Sequence, residues 1–377
     1  MKNLILISLD TVRADVAYSG RFRNILKLQK EGISFLNTIS SSPFTPASHA
    51  SVFTGLQPYN HGVRHLFKES LDSKVKTLAE ILKGKKYQTG AIVSCPGMNK
   101  WYGFSKGFDH YDDEIPKLAD GTDPLLTVDV KKRGTALKRA NLVTDRAYEW
   151  LKKVDKNKNF FLFAHFFDAH WPYEAPEKYG GGNCYEEEIA FSDHYLGLFL
   201  KKIKKDGFLK NTSIVIFSDH GEDLEGLYPN DKGQDHPEEL GHGCLLYDQT
   251  QKVVFLIKDD NLPKNKKIKQ QVRLVDLLPT TLDLIKVKEE LKIDGISLMP
   301  IIKKGINLNL PGYSETFYPE EQTKSTGKYK NSKNKIAYRI NNDYKSIFHL
   351  NSNKVEIYDL ANDKNELVNL YKSSSKL

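Results

Sequence analysis

The sequence predicts an α/β fold: a mostly parallel sheet sandwiched by helices over residues 1–300, then a small antiparallel-sheet α+β subdomain over residues 301–377. Three observations predict it. Short, continuous apolar runs alternate with helical stretches through the first 300 residues, the pattern of parallel strands joined by crossover helices. Two of those runs, residues 4–9 and 213–217, lead directly into Asp10 and into Asp219-His220, at the strand ends where open α/β sheets carry their sites. After about residue 300 the composition changes to short alternating or aromatic runs separated by Asn-rich turns.

Taken in order, residues 4–9 read as a buried parallel strand ended by Asp10-Thr11, residues 22–31 as a helix and residues 33–38 as a second short strand. That strand leads into Thr45-Pro46-Ala47-Ser48-His49-Ala50-Ser51-Val52-Phe53-Thr54-Gly55. Thr45-Pro46 reads as a hydroxyl N-cap followed by proline in the first turn, and Thr54-Gly55 as the stop. A helix start gathers unpaired N–H groups and the positive end of the peptide dipoles, so an anion is welcome there and a hydroxyl ionises more readily. Residues 75–83 have helical periodicity, 89–94 read as a strand, 142–154 as an amphipathic helix and 160–165 as another apolar run. Asp168-Ala169-His170-Trp171-Pro172-Tyr173 is a polar loop, and residues 185–206 form a long helix. The strand at 213–217 ends in Asp219-His220-Gly221-Glu222, residues 223–241 are loop-rich, 253–257 form a strand, and 274–285 a helix interrupted near Pro279. In the tail, 338–340, 344–350 and 355–358 read as strands and 363–371 as a terminal helix.

The chain has 377 residues, with 39% hydrophobic and 28% charged residues, which describes a soluble globular protein and excludes a disordered one. Its net charge of +8 lies largely in lysine runs such as Lys201-Lys202-Ile203-Lys204-Lys205, the wet face of a helix. A mild basic excess suits an anionic substrate, and no aromatic-plus-basic nucleic-acid recognition motif accompanies it. Cys95, Cys184 and Cys244 are odd in number and far apart, without disulfide or zinc spacing. The apolar start is too short for a signal peptide, and no segment reaches membrane-spanning length. A cytoplasmic protein is expected.

Parallel strands bring Asp10 and Asp219 together, so both carboxylates can converge on one cation, with His220 adding a nitrogen and Thr45 an oxygen. Such a donor set suits a divalent ion and leaves calcium, manganese, magnesium and zinc open. A cation touching the Thr45 oxygen would lower its proton affinity beside a bound ester, and His170 and His242 would donate to non-bridging oxygens or protonate the leaving group.

These residues carry a resemblance that runs nearly end to end. The chain resembles the sulfatase family of the alkaline phosphatase superfamily. Ile7-Ser8-Leu9-Asp10-Thr11-Val12-Arg13-Ala14-Asp15 is similar to the family's first metal-binding turn, and residues 45–55 to its nucleophile helix. Gly107-Phe108-Asp109 resembles the mid-domain turn, and residues 168–173 the Asp-Pro-His-x-Pro-Tyr loop with Ala169 in place of proline. Residues 218–222 resemble the second metal motif, 241–248 the segment that usually carries a substrate-binding lysine, and 293–298 and 356–370 the closing motifs. The resemblance implies an alkaline-phosphatase-like sheet, with Asp10, Thr45, Asp219 and His220 on metal-ligand positions. It puts His49, His170 and His242 on positions contacting the sulfuryl or phosphoryl group, and Lys100 beside them. A second ion would draw on Asp168, His170, His236 and His242.

The departures from the family pattern point to phosphate. Sulfatases carry a cysteine or serine that is oxidised to formylglycine, followed by proline and arginine; here Thr45, Ala47 and His49 occupy those positions. Threonine cannot become formylglycine, because its β-carbon carries a methyl group. Cys95 lies outside the helix, Ser42-Pro43 is out of register with Thr54-Gly55, and Leu66 replaces an asparagine common near His61-Gly62-Val63-Arg64. Superfamily members with threonine here act on phosphate esters through a covalent phosphothreonine. The expectation is therefore a metal-dependent phosphoric ester hydrolase or phosphotransferase with Thr45 as nucleophile. The alternatives are a sulfuric ester hydrolase and a non-catalytic binding protein on the same fold.

Overall fold

The computed structural model describes residues 1–66, 68–117, 121, 138–171, 173–176, 179, 184–224, 240–320, 333–341 and 343–371. Its strands, numbered in chain order, are β1 (Asn3–Leu9), β2 (Ile33–Ile39), β3 (Gln88–Ile92), β4 (His110–Asp112), β5 (Phe160–Phe166), β6 (Thr212–Phe217), β7 (Asp223–Leu224) and β8 (Leu240–Gly241). There follow β9 (Lys252–Val253), β10 (Phe255–Lys258), β11 (Lys266–Arg273), β12 (Gly312–Thr316), β13 (Lys335–Ile340), β14 (Tyr344–His349) and β15 (Val355–Asp359). The central sheet runs β11-β2-β10-β6-β1-β5-β3-β4, with β9 paired to β2. All pairings are parallel except those of β10 with β2 and β6 and of β9 with β2.

β1 explains why its sequence is apolar without alternation. Leu4 and Leu6 point into one core, Ile5, Ile7 and Leu9 into the other, because both faces of the sheet are covered. The helices Thr45–Thr54 and Leu277–Leu284 pack on the first side, and Arg23–Glu31, Ala140–Lys153 and Cys184–Lys205 on the second. The expected mostly parallel sheet between helices is the observed one.

Several expectations are corrected. The strand expected over 253–257 is split between β9 and β10, because Val254 N bonds to Ser218 Oγ instead of a strand partner. Pro279 does not break its helix: it lies in the first turn of Leu277–Leu284, where a missing N–H costs nothing. Residues 363–371 contain no helix; Asn369 Oδ1 accepts from Ile357 N and Leu370 N bonds to Ile357 O, so the segment runs beside β15. β4, β7, β8, β11 and β12 lie outside the expected elements, β7 and β8 at the two ends of the stretch read as loop.

The small antiparallel sheet β12-β13-β14-β15 carries its charges inward. Lys335, Arg339, Lys345 and Glu356 are buried on its inner face, while Tyr338, Ile340, Tyr344 and Phe348 are exposed on the other. Arg339 and Lys345 meet Asp248, which ties this sheet to the segment following His242. Residue 300, the expected division, falls inside the helix Met299–Lys304, and every strand of the small sheet lies beyond it. Among the described residues no helix is long and apolar enough to cross a membrane.

Candidate active site

Neighbouring strands β6, β1 and β5 end side by side, and their carboxyl ends carry Asp219-His220, Asp10 and His165. The turn after β1 is strained on the way. Thr11 sits at φ 60°, a left-handed conformation that a β-branched residue seldom adopts. Its hydroxyl donates to Asp10 O at 2.7 Å, and Tyr185 Oη donates to Thr11 O at 2.7 Å, which holds the conformation and aims Asp10 into the site.

The helix Thr45–Thr54 is buried along its whole length. Ser48 Oγ and Ser40 Oγ both donate to Asp219 O, at 2.7 and 2.5 Å, and so lock the start of this helix to the end of β6. Gly55 ends the helix at φ 67°, as expected of a left-handed C-cap. Thr45 does not act as the N-cap: Phe44 occupies that position and Thr45 is the first helical residue. Its hydroxyl is turned away from the helix and donates to Asp10 Oδ2 at 3.1 Å, with His220 Nε2 at 3.3 Å.

The acidic groups have the character of cation ligands. Asp219 Oδ1 accepts from the backbone N–H of Thr11 and of His220 at 3.2 and 3.0 Å, while Oδ2 is buried without a hydrogen-bond partner. Asp10 Oδ1 is likewise buried and unpartnered. His220 Nδ1–H donates to Gly221 O at 2.9 Å, which leaves the Nε2 lone pair 3.4 Å from Asp219 Oδ2 and 3.8 Å from Asp10 Oδ1. Burial opposes a charge on His220, but Asp219 and Asp10 outweigh it and raise its pKa. Burial likewise pushes the Asp10 carboxyl up, against the pull of His220 and His170. Two buried carboxylates with bare oxygens facing one imidazole lone pair fit a divalent cation, which Asp10, Asp219 and His220 would hold with Thr45 beside them.

Two further histidines border this centre. His242 lies with its ring 4.3 Å from that of His220 and 4.9 Å from that of His170. His170 Nδ1–H donates to Trp171 O at 2.6 Å, and its ring stacks on Phe167 at 4.2 Å. His242 Nδ1 is 2.8 Å from Glu222 Oε1, and burial pushes the Glu222 carboxyl up to about 8. Burial and the neighbouring His220 pull the His242 ring well below the usual imidazole range, so an additional proton rests on the Glu222 carboxyl, which then donates to Nδ1 and leaves the ring's own hydrogen on Nε2.

Other expected positions are placed differently. His49, in the second turn of the helix, points its ring to the sheet side, Nδ1–H donating to Thr45 O and Nε2 accepting from Ser8 Oγ, both at 2.9 Å. With Phe53, Phe163 and Phe217 around the ring, burial pulls its pKa down to about 3, so it supports Thr45 and Asp219 from below. Lys100 is not drawn in: its ammonium is largely exposed and lies 3.9 Å from Asp113. Asp168 is used elsewhere, accepting from Arg139 Nε and from Ala140 N, each at 3.1 Å, at the start of the helix Ala140–Lys153. His236 lies outside the described residues. Leu66 offers its carbonyl to Tyr102 Oη. Sequence reasoning missed His165, whose Nε2 is 3.1 Å from Asp10 Oδ2, and it missed Glu222 as the partner of His242.

Known families and structures match the chain over most of its length. A family model described as Sulfatase matches residues 2–287, and one described as N-sulphoglucosamine sulphohydrolase, C-terminal, matches residues 242–377. Arylsulfatase K of Rattus norvegicus is 22% identical over 333 residues, which cover 73% of this chain and 57% of that protein. An ulvan-active sulfatase of Formosa agariphila is 26% identical over 353 residues, covering 80% of this chain and 65% of that protein. This chain therefore spans less than two thirds of the length of either. The phosphonate monoester hydrolase of Agrobacterium radiobacter superposes with a TM-score of 0.79 at 18% identity, covering 99% of this chain and 92% of that one. A structure solved with its substrate D-glucosamine-2-N,6-O-disulfate superposes at 0.77 with 17% identity, covering 99% and 94%. The likeness in fold holds across the chain, and the family match over residues 2–287 makes this protein a member of the sulfatase family.

Proposed function

We propose that the protein is a metal-dependent hydrolase of oxyanion esters, sulfuric esters first and phosphoric esters second, with the Thr45 hydroxyl as nucleophile. The observation that carries this reading is the position of Thr45 Oγ1, at a helix start, 3.1 Å from Asp10 Oδ2 and 3.3 Å from His220 Nε2. The order of substrates follows the relatives, which are named as sulfatases. The phosphoric reading is supported by Thr45 itself and by the phosphonate monoester hydrolase among the structural neighbours. A threonine oxygen has no path to the formylglycine diol, but it can take a phosphoryl group and release it to water.

A bound divalent ion would screen the anion's charge and lower the pKa of the Thr45 hydroxyl. The chain's own groups do the rest. Asp10 Oδ2 accepts the hydroxyl hydrogen and aims Oγ1 at the central sulfur or phosphorus. His242, backed by Glu222, gives its proton to the departing ester oxygen. Water then attacks the threonine ester, giving a proton back to His242, while Asp10 returns the hydrogen to the departing Oγ1. All three cysteines are free, in keeping with a reducing compartment, and a cytoplasmic location belongs to the same proposal.

The test compares turnover of an aryl sulfate and an aryl phosphate diester with the same leaving group, in the presence of added manganese. Faster sulfate turnover upholds the first reading and faster phosphate turnover the second. A folded, metal-loaded protein that turns over neither is a binding protein on this fold.

A further inference from the structure

On the side of Asp10 away from Asp219 lies a group that the proposed chemistry does not use. Strands β1, β5 and β3 are adjacent, and their carboxyl ends bring Asp10, His165 and Cys95 together. An Asp10 carboxylate oxygen, a His165 ring nitrogen and Cys95 Sγ all lie within 4.8 Å of one another, and all three residues are buried. Cys95 also borders the nucleophile: a side-chain carbon built on Gly97 would lie 3.6 Å from Cys95 Sγ and 3.5 Å from Thr45 Cβ.

The hydrogen bonds of His165 say what this group lacks. Ser94 Oγ–H donates to His165 O at 2.7 Å, which uses its only hydrogen. The same oxygen therefore accepts at 2.8 Å from His165 Nδ1–H. In that tautomer His165 turns Nε2 to Asp10 Oδ2, 3.1 Å away and within hydrogen-bond distance. Oδ2 also accepts from Thr45, a proton or a metal cation completes its contact with Nε2, and Asp10 Oδ1 is buried without a hydrogen-bond partner. Ligand atoms about 2.0–2.1 Å from a tetrahedral centre are about 3.3 Å apart, close to the observed separation. The Ser94 bond is the outer contact that metal-ligating histidines ordinarily make.

We propose that Asp10, Cys95 and His165 form a second cation seat, sharing Asp10 with the first and taking a thiophilic divalent ion of the zinc class. The proposal rests on the metal-dependent reading for the role of Asp10 and extends it to a second ion. Sulfur and imidazole select zinc, cobalt or cadmium over calcium and magnesium, which prefer oxygen. On binding, the Cys95 thiol gives its proton to solvent and the thiolate takes up the ion.

The test is titration of the chelator-stripped protein with cobalt(II), reading both stoichiometry and the sulfur-to-metal charge-transfer band in the near ultraviolet. Wild type and Cys184→Ser, which changes an exposed cysteine, are expected to bind two equivalents and show the band. Cys95→Ser is expected to bind one equivalent and lose the band. If Cys95→Ser does not fold, the Cys184→Ser titration decides alone, since Cys244 is buried in a separate apolar cluster. One equivalent bound without a band overturns the second seat and leaves the first standing. No equivalent bound overturns both.

Discussion

Glu222 Oε1 lies 2.8 Å from His242 Nδ1, so the last residue of the turn after β6 fixes an imidazole that belongs to a different segment. The turn that supplies Asp219 and His220 thus also sets the orientation and tautomer of the proposed acid. In Glu222→Gln the side-chain amide still reaches His242 but no longer takes up the proton that sets the hydrogen on Nε2. We expect kcat to fall about 10²-fold or more with KM little changed. Steady-state kinetics on the better aryl ester check this, and an unchanged kcat would remove His242 from proton transfer.

Thr45→Ala removes the proposed nucleophile and leaves a cavity the size of a hydroxyl and a methyl. Turnover is expected to drop at least about 10³-fold, whereas Thr45→Ser keeps measurable turnover because the oxygen remains. Thermal unfolding of both variants should stay near that of the wild type. A Thr45→Ala protein with full activity would show that water attacks the ester directly.

How much of this site was legible in the sequence depends on where each residue sits. Asp10 and Asp219-His220 follow apolar runs and can be read as strand tips, and Thr45 is found by counting back from Thr54-Gly55. His165 lies inside the continuous run Phe160–Phe166, where both faces are buried and no alternation reveals which way a side chain points. His49 has the spacing of a site residue, but one turn of helix carries its ring below Thr45 onto Ser8. β11 was missed because Lys266–Arg273 is an edge strand rich in lysine and glutamine, a composition that protects an edge and hides the strand. The segment 363–371 has helical composition but spends its backbone on β15 instead, which only tertiary context decides.

Divalent cation should stabilise the fold. Without it, Asp10 and Asp219 keep buried, unpartnered oxygens in the folded state. At a concentration 100 times its dissociation constant, an ion that binds only the native state adds about 2.7 kcal/mol. An increase of several degrees in Tm on adding manganese or zinc to chelator-stripped protein is expected, and Asp219→Asn should lose most of it. A Tm indifferent to every divalent ion would argue against the metal centre.

Asp248 joins the small sheet to the catalytic layer. It takes Arg339, Lys345 and Lys252 together, and burial would penalise its charge were those cations not there to hold its pKa well below the usual range. Asp248→Asn leaves the buried Arg339 without its carboxylate partner, for which about 3–5 kcal/mol of destabilisation is expected. Urea unfolding measures it, and a loss below 1 kcal/mol would mean that the two layers are held by apolar contacts alone.

Glu188 gives stability a dependence on pH that can be separated from the active site. Its side chain is buried in the helix Cys184–Lys205, where it accepts from Glu174 N at 2.6 Å and meets Arg139. Burial pushes its pKa from 4.5 up to about 7, outweighing the Arg139 guanidinium, with the nearby Asp168 adding to the rise. A carboxyl whose pKa is higher folded than unfolded favours the native state while it is protonated. That contribution is complete below about pH 4.5 and is lost as the pH rises through about 7. At about 1.4 kcal/mol per pH unit, the loss approaches about 3 kcal/mol. Glu188→Gln is neutral at every pH, so it should unfold like the wild type near pH 5 and at higher urea than the wild type near pH 8. Parallel unfolding curves at both pH values would assign the dependence to other groups and show that Arg139 keeps Glu188 ionised throughout.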